Sequence, residues 1–162
     1  MKKISTAETR EIGKVAGQGL TVGLDLGDRS SWYCVPDEAG EVLLEQKLAT
    51  TPKAMKEIFS GMPRSRIALE TGMHSPWVSR SLSELAHEVI VAHAQNVRVI
   101  GASRRKDDRF DARTLARLAR IDPDLLGPVQ LRSRKAQADL TVIRARAGLV
   151  RARTAVINMP AG

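Results

Sequence analysis

From Leu20 to Leu26 apolar residues alternate with small or polar ones. The run stops at Asp25-Leu26-Gly27-Asp28, the signature of a strand that feeds a turn. Ser30 to Val35 and Glu41 to Leu48 read as the next two strands, divided by the turn Pro36-Asp37-Glu38-Ala39-Gly40. Thr51-Pro52 is a cap followed by proline at the first helical position, so a short helix opens there. Arg66 to Leu69 is a brief apolar strand ending at Glu70. Ser75-Pro76 repeats the cap-and-proline signal for a helix reaching about Ala86, and Glu88 to Ala92 is a buried-looking strand. Three antiparallel strands, then helix, strand, helix, strand, predict an α/β fold: a mixed sheet with helices on its faces.

Beyond residue 93 the pattern changes. Arg98, Arg104, Arg105, Lys106, Arg109, Arg113, Arg117 and Arg120 crowd a stretch in which Phe110, Leu115 and Leu118 mark a helix from about Asp108 to Arg120. Asp122-Pro123 starts a connector containing Gly127-Pro128, and a last helix runs from about Ser133 to Asn158. In it Ala136, Leu140, Ile143, Ala147, Val150, Thr154 and Ile157 follow the four-three rhythm of a coiled-coil seam. Arg144, Arg146, Arg151 and Arg153 flank that seam. In a parallel pair of identical helices they would repel, so the seam suits a different helix, or the arginines face nucleic acid; an ordinary amphipathic helix packed on its own domain fits equally well. The expected organisation is a flexible leader over 1–19, a domain over 20–121, and a connector with an Arg-rich coiled-coil-like helix over 122–162.

Composition narrows the partners. The 162 residues are 43% hydrophobic, enough for a folded core, but only 3% aromatic, which argues against base stacking on an aromatic platform. A net charge of +8 favours a polyanion such as nucleic acid. Cys34 is the single cysteine, so an intrachain disulfide and a thiolate zinc site are excluded. The start of the chain lacks the apolar stretch of a signal peptide, and no apolar run is long enough to span a membrane, so the expected location is the cytoplasm.

Four acids carry the candidate chemistry: Asp25 in Gly23-Leu24-Asp25-Leu26-Gly27, Glu70 in Ala68-Leu69-Glu70-Thr71-Gly72, and Asp108 and Asp111 in Lys106-Asp107-Asp108-Arg109-Phe110-Asp111-Ala112. A carboxylate at the end of a buried strand is costly unless something pairs with it. Asp108 and Asp111 share a helix face in a first turn, where the helix dipole favours negative charge, yet two like charges repel unless a cation lies between them. Several such acids in a basic chain suggest a Mg²⁺ (or Mn²⁺) site acting on phosphate. Each has a plainer reading. Asp25 suits a turn, Glu70 a surface pair with Arg66, and Asp108 and Asp111 a helix cap and its partner. Asp28 and Asp107 read as solvated, His87 and His93 as structural, Ser75 as a helix cap rather than a nucleophile, and Trp32 and Trp77 as core.

Taken with His74-Ser75-Pro76-Trp77, Arg105 to Ala112 and the run Gln137-Ala138-Asp139-Leu140, these motifs resemble the N-terminal half of the DEDD-type insertion-sequence transposases, relatives of the Piv and MooV DNA recombinases. The resemblance covers about residues 20 to 158. It implies a ribonuclease-H-like, RuvC-like domain in which Asp25, Glu70, Asp108 and Asp111 match an acidic tetrad that binds Mg²⁺. It also implies DNA as substrate, cut and joined during transposition, in some members under a structured guide RNA. The basic residues expected to meet nucleic acid are Arg104, Arg105, Lys106, Arg109, Arg113, Arg144 and Arg151, with oligomerisation through the last helix. Family members are about twice this length and carry a second, serine-bearing domain. The chain therefore reads as a fragment or the product of a decayed element. Two alternatives stand beside this: a catalytically inactive nucleic-acid-binding and assembly module, and an actin-like sugar kinase fragment, whose first phosphate loop Gly23-Leu24-Asp25-Leu26-Gly27 also resembles.

Overall fold

The structure, a computed structural model, describes residues 19–96 and 108–158, the side chains at 108 and 110 excepted. Five strands, β1 (Leu20–Asp25), β2 (Ser30–Pro36), β3 (Val42–Ala49), β4 (Ser65–Glu70) and β5 (Glu88–Ala92), form one sheet in the order β3-β2-β1-β4-β5. The first three pair antiparallel, while β1–β4 and β4–β5 are parallel. This is the mixed α/β sheet that the order of elements predicts.

Helices α1 (Pro52–Phe59) and α2 (Ser75–Glu84) follow β3 and β4. Thr51 caps α1, its side chain accepting from the Ala54 N–H at 3.3 Å, with Pro52 in the first turn. The α2 signal was legible but off by one residue. His74 is the N-cap, and Ser75 lies inside the helix, its hydroxyl donating to the Gly72 carbonyl (2.9 Å) and accepting from the Gly72 N–H (3.1 Å). α2 stops at Glu84, before Ala86. The Ala86 N–H bonds Ser83 and the His87 N–H bonds Leu82, a Schellman closure with Ala86 in the left-handed conformation (φ 66°) that glycine usually fills.

The sheet's two faces follow from strand alternation. Tyr33 meets Phe59 of α1 edge to face, with ring centroids 5.8 Å apart. Buried His87, just before β5, fastens that side: its Nδ1 accepts from the Ser65 N–H (3.2 Å) and its Nε2 lies 3.0 Å from the Phe59 carbonyl, a donor's position. The other face is covered by α3 (Asp108–Ile121). Leu115, Leu118 and Ala119 of α3 bury against Ala68, Ile90, Ala92 and Leu126. Leu126 belongs to a 3₁₀ turn, Pro123–Leu126, capped by Asp122, and Gly127 closes it with φ 55°. The segment read as a connector is thus built into this unit, which extends to Gln130; Val129 donates its N–H to Val91 and His93 to Leu126.

The second compact unit, from Leu131 onward, holds α4 (Arg134–Ile157). Ser133 caps it, its side chain accepting from the Ala136 N–H at 3.2 Å. No residue of α4 is buried, and the seam positions Ile143, Val150 and Ile157 are 62%, 51% and 65% exposed.

Candidate active site

Register builds the site. On the α3 face one row of cross-strand neighbours reads Lys47, Trp32, Asp25 across β3, β2 and β1. Asp25 and Glu70 each follow the last paired residues of two parallel strands, Leu24 and Leu69, and Glu70 pairs with Ala92 of β5. The row therefore continues through Glu70 to Ala92. Adjacent strands lie about 4.8 Å apart, so the two acids are nearest neighbours at the carboxyl end of β1 and β4. The row behind it reads Glu45, Cys34, Gly23, Ala68, Ile90.

Gly23 decides which face the acids share. A Cβ there would stand 1.9 Å from the Ala112 carbonyl oxygen and 2.5 Å from the Ala116 nitrogen, so α3 rests directly on the β1 backbone. Asp25 is two residues beyond Gly23, and Glu70 two beyond Ala68. By the two-residue period of a strand both sit on the α3 face.

Side-chain contacts fix the direction of the helix. The Arg109 guanidinium lies over the Trp32 ring, 4.4 Å from its centroid, beside Asp25. Arg113 grips Glu45 with both ends of its fork, at 2.7 and 2.9 Å. Arg66, at the start of β4, donates to the Ala119 carbonyl (3.3 Å), and Arg120 donates to the Glu38 carbonyl in the β2–β3 turn. α3 thus runs antiparallel to β1, with its first turn at the Asp25–Glu70 end. Asp111 directly precedes Ala112, and position 108 is one turn earlier on the same stripe. Two strands and one helix start therefore direct acidic positions to one end of the sheet. Carboxylate-only donors suit a hard divalent ion such as Mg²⁺ or Mn²⁺. Among the described residues, which leave out the Asp108 side chain, no three His, Cys, Asp or Glu gather closely enough to hold a metal.

Other sequence expectations fare unevenly. Glu70 does not pair with Arg66. They lie four positions apart on one strand, about 13 Å, and Arg66 bonds Glu88 instead at 2.9 Å. Trp32 and Trp77 are not core. Both are half-buried, one under Arg109 and the other donating its Nε1–H to His74 Nδ1 at 3.1 Å. Arg113, expected to meet nucleic acid, has both ends of its fork on Glu45. Arg144 and Arg151 are exposed on α4, while Arg104, Arg105 and Lys106 lie outside the described residues. His87 is structural; His93 is exposed, its Nδ1 accepting from the Gln95 N–H. Sequence reasoning missed the Trp32–Arg109 stack and the role of Gly23. A glycine two residues before a strand-end acid was the available signal.

Burial marks the same face. It pushes the Cys34 thiol up to about 11, the nearby Glu45 adding to the rise and Arg113 and Arg117 opposing it.

Three solved structures resemble the fold. A Thermus thermophilus (T. thermophilus) RuvC in complex with a Holliday junction substrate is 14% identical, covering 65% of this chain and 98% of that one, with a TM-score of 0.44. A ROK family glucokinase from Streptomyces griseus is 23% identical, covering 58% and 38%, with a TM-score of 0.36. A polyphosphate/ATP-glucomannokinase from Arthrobacter sp. strain KM is 15% identical, covering 59% and 50%, also with a TM-score of 0.36. No curated protein matches the sequence. The family model that matches is described as Transposase and is that of the IS110-type DEDD elements; it aligns with residues 22–159. The sugar-kinase reading gives way to it. Matched along most of its length and carrying acidic positions at one end of its sheet, the chain belongs to the DEDD transposase family of IS110-type insertion sequences.

Proposed function

We propose that this chain cleaves and joins DNA strands in transposition of an insertion sequence, with Asp25, Glu70, Asp108 and Asp111 as ligands of Mg²⁺ or Mn²⁺. The observation that carries the reading is the row in which Asp25 and Glu70 are neighbours beneath the first turn of α3. A divalent ion bound there would supply Lewis-acid stabilisation of charge on a phosphate.

The chain's own residues do the rest. The strand ends hold Asp25 and Glu70 in fixed register, and the first turn of α3 carries Asp111 and position 108 to the same end of the sheet. Exposed Lys47, the cross-strand neighbour of Trp32, and exposed Arg109, stacked over its ring, put positive charge at the rim, where a phosphate backbone approaches. In the same reading Arg104, Arg105, Lys106, Arg144 and Arg151 also meet nucleic acid. A structured guide RNA and self-association through α4 belong to the same reading; the exposed apolar seam of α4 supports the second. No described helix is long and apolar enough to cross a membrane, consistent with action on DNA in the cytoplasm.

The competing reading is a catalytically inactive nucleic-acid-binding and assembly module. It draws on the lack of three closely gathered ligands among the described residues. Incubating the full chain with branched DNA and Mg²⁺ separates the two. The expected result is cleavage that falls about a hundredfold or more in Asp25→Asn while DNA binding is unchanged. Binding without cleavage by the unaltered chain would favour the inactive module.

A further inference from the structure

We propose that Trp32 is a positioning residue of the acidic site, acting through Arg109. Three observations meet at this pair. Trp32 is the cross-strand neighbour of Asp25, so its ring stands on the sheet beside the proposed ligand row. The Arg109 guanidinium lies over that ring at 4.4 Å from its centroid, well within cation–π range. Arg109 also sits between positions 108 and 111 in the first turn of α3, where the helix leaves its tight seat on Gly23.

Further along α3, contact is secured by Ala112 and Ala116 on the β1 backbone and by the Arg113–Glu45 fork. The first turn lies beyond those anchors. The stack pins it to β2, one strand from Asp25, and so sets the distance from Asp111 and position 108 to Asp25 and Glu70. An aromatic face does this better than an aliphatic one, because the ring quadrupole attracts the cation. Half-burial of the ring strengthens the attraction beyond that of a fully solvated pair.

The inference rests on the acidic site proposed above, and its test keeps the two apart. Mn²⁺ affinity of the full chain is measured by calorimetry for the unaltered protein, Asp25→Asn, Trp32→Leu, Trp32→Phe, Arg109→Ala and the Trp32→Leu/Arg109→Ala double variant. Amide hydrogen exchange over residues 109–113 is followed in parallel. The expected result is about fivefold weaker Mn²⁺ binding in Trp32→Leu, recovery to within about twofold in Trp32→Phe, and a double variant no worse than either single one. Exchange in the first turn should accelerate in Trp32→Leu and recover in Trp32→Phe. If Asp25→Asn abolishes binding while Trp32→Leu leaves affinity and exchange unchanged, positioning by Trp32 is overturned and the acidic site stands. If Asp25→Asn binds Mn²⁺ like the unaltered chain, the site reading fails and the inference falls with it. Additive losses in the double variant would also overturn it, since they would mean that Trp32 does not act through Arg109.

Discussion

Cys34 and Tyr33 are adjacent on β2 and face opposite sides of the sheet, each buried. Burial pushes the Cys34 thiol up to about 11 and the Tyr33 phenol up to about 12, from ordinary values of 9.0 and 10.0. Folding therefore favours the neutral form of both. Their contribution is complete below pH 9 and is lost as pH rises through the two folded values, because the unfolded chain ionises first. Each shift is worth about 3 kcal/mol. Thermal melts are expected to hold steady up to about pH 9 and then fall steeply toward pH 12, with Cys34→Ala weakening the lower part of the decline. A melting temperature independent of pH over that range would contradict the burial argument. Of these residue-scale features, composition shows only that Cys34 is alone. Its partners Glu45, Arg113 and Arg117 arrive from β3 and α3, and no local pattern announces contacts at such separations. The Arg113–Glu45 fork spans 68 residues and was equally hidden, which is why Arg113 read as a nucleic-acid contact.

At the scale of elements, caps and alternation made most of the fold legible. The turn after Asp25, Thr51-Pro52 and Ser133 each mark a boundary that the structure keeps, because the signal is chemical and local. The seat of α3 was not legible. A glycine within a strand ordinarily reads as weak packing, and only the helix above Gly23 explains it. Gly23→Ala tests that seat. With a Cβ 1.9 Å from backbone that cannot turn aside, α3 must lift from β1. The expected loss is about 3 kcal/mol of stability, read by denaturant unfolding. Gly72→Ala, where a Cβ would meet nothing within 4 Å, is the control and should change little. Equal stability of Gly23→Ala and the unaltered chain would mean that the helix does not rest where described.

For the whole molecule, the topology turns a scattered sequence pattern into one place. Asp25, Glu70 and the Asp108–Asp111 turn are separated by tens of residues. Parallel pairing of β1 with β4, and an α3 antiparallel to β1, direct all of them to one end of the sheet. The acids themselves were readable as strand-end and helix-start carboxylates. Their common face was not, because it depends on register and on where α3 lies. The central claim is that these acids hold a divalent ion, and anomalous scattering from crystals of the full chain grown with Mn²⁺ tests it most directly. The expected result is a peak at about 2 Å from carboxylate oxygens of Asp25 and Glu70 and within reach of α3's first turn, absent in Asp25→Asn crystals. No peak at that end of the sheet, or one that persists in Asp25→Asn, would contradict the account.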